Sequence, residues 1–222
     1  MKIGIISAMW LEAQLIHSKM TDVKIHEIAS MKYFEGRLGG KEVVLSTCGI
    51  GKVNAAIYTQ IMIDRFKVDA ILHTGIAGSM DKKAGHGAIV IADKLAYHDF
   101  KLNVIVEGFV YKEFYETDKA LSDIVYSLAG QSALRGLVVT GDAFIDDSAR
   151  KADIKARFPE ALAVEMEGCA IANTACVNGI PLVVVRCISD LADDDAFNDY
   201  KGFEERAANI AANLIINTVE KV

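Results

Sequence analysis

Four carboxylates in this chain stand where apolar runs end. Glu165 and Glu167 flank Met166 at the close of a run that passes through Ala163-Val164 and feeds straight into Gly168-Cys169-Ala170-Ile171. About twenty residues on, Val183-Val184-Val185-Arg186-Cys187-Ile188 ends in Ser189-Asp190, and Glu12 follows the first apolar stretch, Ile3 to Ile6. Glutamate beside a helix start is also favoured by the helix dipole alone, so the first pair has a purely structural reading as well. A buried apolar run that ends in Ser-Asp is harder to explain by packing. Acids without an accompanying nucleophile suit hydrolysis by an activated water, one carboxylate acting as base and another as proton donor. Carboxylates also suit a transition state that places positive charge on a sugar ring.

Such groups must be positioned by strand ends. The chain predicts strands at 2–6, 23–29, 32–38, 42–47, 70–74, 87–91 and 137–140, with Gly39-Gly40 as a hairpin signal. Helices are expected after Ser7-Ala8-Met9, from Gly51 to Phe66, from a Thr117 or Asp118 cap to Leu128, over 146–158, up to Asn178-Gly179, and over 203–222. Residues 75–79 read as a glycine loop after a strand, and 99–117 shows no clear period. Strands alternating with helices, several of them continuously apolar, predict an α/β fold: one domain over 1–222, with a central mixed β-sheet flanked by helices. In open α/β sheets, ligands sit at the carboxyl ends of strands. The helix after Gly51 is apolar around more than one stripe, through Val53, Ile57 and Ile61, which predicts an interface between subunits.

Composition narrows the function. With 222 residues, 52% apolar and only two prolines, the chain supports a sizeable core. A net charge of −6 without a Lys/Arg cluster argues against a nucleic-acid partner, and no apolar run is long enough to cross a membrane. Cys48, Cys169, Cys176 and Cys187 show neither a C-x-x-C nor a zinc spacing, so no metal site is expected and a reducing, cytoplasmic setting is. Gly49-Ile50-Gly51-Lys52 lacks the spacing and the Ser/Thr of a phosphate loop, although glycines opening a helix leave N–H groups for an anion. His98 beside Asp99 reads as structural, because neighbours on a strand face opposite sides. Neither H-E-x-x-H nor G-x-S-x-G occurs.

With those residues in view, the chain resembles the purine nucleoside phosphorylase superfamily, and within it the methylthioadenosine/S-adenosylhomocysteine nucleosidases. The matching words run in order along nearly the whole length: M-K-I-G-I-I-S-A-M with Glu12, C-G-I-G-K-V-N-A-A (48–56), T-G-I-A-G (74–78), Y-H-D (97–99), R-G-L-V-V-T-G-D-A-F-I (135–145), V-E-M-E (164–167) and V-V-R-C-I-S-D (184–190). The resemblance implies hydrolysis of the N-glycosidic bond of a 5′-thio-substituted adenosine, a small-molecule nucleoside partner, no cofactor, and a homodimer. It also implies residue roles. Glu12 would activate water, and Asp190, held by Ser189, would protonate the purine at N7. Glu167 would bind the ribose hydroxyls, with Met166 packed on the sugar and Arg186 near Glu12. Phe144 would stack on the base, Ile145 would offer its backbone to the purine edge, and Met9, Ile50, Gly78 and Tyr200 would line the pocket.

Three departures from the family pattern stand out. Trp10-Leu11 precedes Glu12 where an acidic pair is common, and Ile76 stands where many members have Ser. Residues 100–117 differ from the usual longer segment, which helps close the neighbouring subunit's 5′ pocket. Rival expectations are a phosphorylase of the same fold and a nucleoside-binding homologue without activity. Phosphorolysis needs cations around an anion, yet Arg37 is the only Arg in residues 1–60.

Overall fold

The computed structural model describes residues 1–100 and 112–222. In chain order the elements are β1 (Lys2–Ser7), α1 (Trp10–Lys19), β2 (Thr21–Ile28), β3 (Met31–Leu38), β4 (Lys41–Thr47), α2 (Lys52–Phe66), β5 (Ala70–Ser79), β6 (Ile89–Tyr97), β7 (Tyr115–Glu116), α3 (Lys119–Ala129), β8 (Leu134–Thr140), α4 (Ser148–Arg157), β9 (Ala161–Glu165), α5 (Gly168–Asn178), β10 (Leu182–Asp190) and α6 (Ala196–Val219). The strands join in one mixed sheet, ordered β10-β6-β8-β9-β5-β1-β4-β3-β2, with β7 on β6. Because β10 also pairs with β5, the five strands β5, β10, β6, β8 and β9 close into a ring, and β1, β4, β3 and β2 extend from it as a flat wing.

The apolar run of β10 shows why such a strand has no polar face. Val183 and Val185 point into a cluster with Ile3, Ile5, Ile16, Leu121 and Ile215. Val184 and Ile188 point the other way, to Ile6, Met62, Phe66, Ala170 and Ile171. Period-two alternation thus delivers apolar side chains to two helical layers, α1, α3 and α6 on one side and α2 and α5 on the other. Element ends follow local chemistry: Asp118 accepts the Leu121 N–H at 2.9 Å to cap α3, and Gly179, at φ 66°, stops α5 just before Pro181.

Three elements correct the sequence reading. Residues 75–79 are not a loop: β5 continues through them, entirely buried, pairing in parallel with β10 up to Gly78 and antiparallel with β9 at Gly78 and Ser79. Glycine permits this because the strand runs against charged side chains. A Cβ on Gly75 would overlap the Arg186 guanidinium and lie 2.6 Å from Glu12 Oε1, and one on Gly78 would lie 2.8 Å from Asp190 Oδ1. The last helix starts at Ala196 rather than near 203, so its first two turns reach over the strand ends. Strand β6 is also longer than expected, extending to Tyr97. The aperiodic stretch at 99–117 falls mostly outside the described residues.

The close quarters at Gly75 generate a test of the fold. Gly75→Ala overpacks a buried site and is expected to cost about 1–3 kcal/mol, or about 2–4 °C in Tm for each kcal/mol in a chain of this size. Gly85→Ala, where nothing lies within 4 Å of the added carbon, serves as the neutral control in the same melting experiment.

Candidate active site

The carboxyl ends of β1, β5, β9 and β10 surround a cavity of about 450 Å³. Its lining combines Met9, Glu12, Ile50, Gly78, Phe144, Met166, Glu167, Ser189, Asp190 and Tyr200 from seven separate stretches of chain. Glu12 sits in the first turn of α1 and folds back over the end of β1. Its Oε2 accepts the N–H groups of Ala8 and Met9, both at 2.9 Å, and its Oε1 accepts the Ile76 N–H at 3.0 Å. Burial raises its pKa above the ordinary carboxylate value, opposed by the Arg186 charge and these three amides. The carboxylate is therefore fixed in direction while remaining able to hold a proton.

Asp190 lines the same cavity from the end of β10. Its Oδ2 accepts the Ser189 hydroxyl at 2.8 Å, and its Oδ1 accepts the Ala192 N–H at 2.9 Å. Ala192 adopts φ 51° to present that N–H, a left-handed conformation that an alanine holds at a cost of about 1–2 kcal/mol. Burial raises the Asp190 pKa, which favours the protonated form of a proton donor.

Glu165 and Glu167 occupy adjacent but unequal environments. Glu165 Oε2 accepts the backbone N–H groups of Glu167 at 3.0 Å and Gly168 at 2.7 Å, and pairs with Arg186 Nη2, while Oε1 takes the Thr140 hydroxyl. Burial opposes its charge, but Arg186 and these donors prevail and hold it below the usual range. Glu167 has one backbone partner, the Gly51 N–H at 2.9 Å, and lies 3.9 Å from Arg186. Burial and the neighbouring Glu165 charge push its pKa up to about 8. Two carboxylates in one site are driven apart, one fixed as an anion and one poised near neutrality.

The glycines at 49–51 thus do meet an acidic group, but it is the protein's own Glu167 carboxyl. The start of α2 is secured further by the Lys52 N–H on Asp142 at 2.8 Å and by Lys52 Nζ on Asp99 at 2.5 Å. His98 is buried with its backbone tied to Thr140 and Arg157 and its Nε2 unpaired, a structural placement next to Gly141.

Ten of the twelve residues singled out from sequence line the main cavity. Ile145 lies instead in a small adjoining recess with Phe144, Met166 and Asp190, since its side chain is drawn into the cluster with Val139 and Val164. Arg186 lies beneath the cavity floor, 1% exposed, touching the site through its nitrogens. Sequence reasoning missed His73, Thr140, Asp146 and Phe197. His73 left a usable signal, a histidine inside the apolar run Ala70-Ile71-Leu72, whereas Phe197 lay in a stretch read as coil.

The sequence profile described as the phosphorylase superfamily matches residues 2–220. Proteins named 5′-methylthioadenosine/S-adenosylhomocysteine nucleosidase from Staphylococcus saprophyticus and an Exiguobacterium species are each 39% identical to this chain, covering 99% and 100% of it and 99% of their own lengths. Among solved structures, the S-adenosylhomocysteine nucleosidase of Streptococcus pyogenes bound to 5-methylthiotubericidin superposes with a TM-score of 0.96 at 34% identity, over 100% of this chain and 97% of that one. The Neisseria meningitidis 5′-methylthioadenosine/S-adenosylhomocysteine nucleosidase bound to methylthio-immucillin-A gives 0.95 at 33%, over 100% and 99%. Full-length similarity at this level, on a fold whose strand ends gather Glu12, Glu167 and Asp190 into one cavity, means that the chain belongs to the phosphorylase superfamily and, within it, to the 5′-methylthioadenosine/S-adenosylhomocysteine nucleosidases.

Proposed function

We propose that this protein hydrolyses the N-glycosidic bond of 5′-methylthioadenosine, S-adenosylhomocysteine or a related 5′-substituted adenosine, releasing adenine and the thioribose. The observation that carries the reading is the pair of buried carboxylates, Glu12 and Asp190, held by backbone N–H groups in the lining of one cavity. In this reading Glu12 takes a proton from the attacking water beside Arg186. Asp190 donates its proton to purine N7, because a departing purine is a poor leaving group as an anion. Glu167 accepts the ribose hydroxyls with Met166 against the sugar, and Phe144 stacks on the base, with Ile145 and Gly78 beside it. Ile50, Met9 and Tyr200 complete the walls, and Ser189 holds Asp190.

Phosphorolysis fits the site poorly. The cavity is lined by Glu12, Asp146, Glu165, Glu167 and Asp190 without a single Lys or Arg among the described residues, so its wall offers a phosphate no matching cation. Arg186 is already matched by Glu165, and Arg37 is spent on the Gly40 carbonyl in the wing. The active form we propose is a homodimer. In the single chain Ile50, Val53 and Ile57 are 54%, 69% and 46% exposed at the start of α2, an apolar face that a second copy would cover. No helix among the described residues is long and apolar enough to cross a membrane. All four cysteines are unpaired, which accords with a cytoplasmic setting.

Adenine release from methylthioadenosine, measured with and without phosphate, tests the reaction: phosphate-independent release is expected. In that assay Glu12→Gln should lose about 10²–10⁴-fold in turnover, the scale of a general base, while ligand binding survives. Asp190→Asn should collapse on adenine nucleosides yet recover in part on a nitrophenyl riboside, whose leaving group needs no proton. Equal loss on both substrates would make Asp190 a shaping residue only.

Glu167 links binding to stability. Its folded pKa of about 8 lies above the usual 4.5, so its contribution to the ligand-free fold is full below about pH 4.5 and is lost as pH rises toward 8. Glu167→Gln should therefore melt higher than the parent at pH 8, with the gap closing toward pH 5, and should bind nucleoside more weakly.

For the dimer, Ile57→Asp should shift light-scattering mass toward the monomer at micromolar concentration. Ile57 is the better probe than Ile61, which packs partly into the core.

A further inference from the structure

We infer that His73 is a positioning residue that aims Arg186 at Glu12, an inference that rests on Glu12 being the base. His73 lies in the middle of β5, fully buried, between Ile6 of β1 and Val184 of β10. Its Nδ1 is 2.8 Å from the Ile6 carbonyl, and its Nε2 contacts Arg186 Nη2. A carbonyl only accepts and a guanidinium only donates, so Nδ1 must carry the proton and Nε2 must present its lone pair. The imidazole is therefore neutral, a buried acceptor aimed at a cation. Burial first, and then the Arg186 charge, push its pKa down to about 3, in keeping with that tautomer.

The guanidinium is consequently held by one nitrogen. Nη2 has two hydrogens, and Glu165 Oε2 and His73 Nε2 take both. Nε is buried without a partner. Nη1 is left on the cavity side: the space above Gly75 is bounded by Nη1 on one flank and Glu12 Oε1 on the other. With Glu165 alone, the fork could swing about a single bond toward Glu167, only 3.9 Å from Nη2. Two acceptors at an angle to one another remove that freedom. His73 thus directs the positive charge that opposes protonation of Glu12, and it does so without touching the cavity.

The groups that face Glu12 are Arg186 from β10, Glu167 after β9, Cys48 after β4 and Tyr200 from α6. Among these side chains only Arg186 favours its ionised form, adding to the Ala8, Met9 and Ile76 amides. A guanidinium that wanders leaves Glu12 with a higher pKa, so the acid limb of the turnover profile moves to higher pH. The experiment compares His73→Leu, which removes both polar atoms, with His73→Gln, whose amide can donate to Ile6 and accept from Arg186. Methylthioadenosine turnover is measured across pH together with Tm. The expected result for His73→Leu is a loss of about tenfold or more in kcat with KM little changed and an acid limb shifted upward, while His73→Gln stays within about threefold of the parent.

An acid limb in His73→Leu that stays put or moves to lower pH overturns the inference, whatever the loss in rate. Should His73→Leu fail to fold, His73→Gln decides alone: native Tm with parental turnover and limb supports the role, and native Tm with lost turnover overturns it. Glu12→Gln in the same assay keeps the two readings apart. If Glu12→Gln is inactive and His73→Leu is native, only the His73 inference fails; if Glu12→Gln keeps near-parental turnover, the base assignment fails instead.

Discussion

One buried cation organises the catalytic end of this molecule. Arg186 is 1% exposed and faces the carboxylates of Glu165, Glu167 and Glu12. Taking a guanidinium out of water is affordable in a fold only when its charge is matched closely, and removal of one partner of such a pair costs about 3–5 kcal/mol because the other is stranded. Glu165 provides the match and is itself held by two backbone amides and a hydroxyl. The geometry of the remaining acids follows. Glu12 and Glu167 feel the same cation from farther away, without a full ion pair, and their pKa values rise. One charge thus sorts three chemically identical side chains into a structural anion and two groups that can exchange protons.

The backbone carries the second half of the design. Oxygens of Glu12, Glu165, Glu167 and Asp190 each accept at least one main-chain N–H, and those amides come from strand ends and helix starts. Amides so placed have few degrees of freedom, so the acids are pre-aimed rather than gathered by the ligand. Glycine at 75 and 78 lets the strand that carries this frame run directly beneath the charged groups.

Much of this was legible in the chain. The acidic strand ends at 165–167 and 190 were visible because apolar runs stopped there, and α3 begins at Lys119 behind Asp118, the second of the two caps expected. The Gly51–Phe66 helix was legible from its over-apolar surface, which leaves Val53 and Ile57 exposed. Strand β5 past Thr74 was not legible, because Gly-Ile-Ala-Gly has the composition of a turn and is strand only through pairing with β9 and β10. The early start of α6 was hidden in the same way. Asp193-Asp194-Asp195 and Asn198 are poor helix formers, and the helix begins there with Ala196 fully buried and Tyr200 packed beside Ile76 and Met9. His73 was passed over since a lone histidine carries no motif; its role depends on a guanidinium 113 residues away in sequence.

The closed ring of strands has a consequence for the shape of the cavity. Five strands that hydrogen-bond in a circuit cannot part at an edge, so the floor and most of the wall of the cavity are fixed in place. Freedom is left to the roof, where Phe197 and Tyr200 sit on the first two turns of α6 and Phe144 meets Tyr200 edge to face at 5.7 Å. That roof is held by Ala196, fully buried, by Tyr200 and Phe203 packed on the cluster of Ile76 and Cys187, and at its rim by Ser148 to Asp194 and His86 to Asp199. A floor fixed by main-chain hydrogen bonds under a roof fixed by side-chain packing leaves any change in cavity shape to α6 and the 144 stretch rather than to the strands beneath.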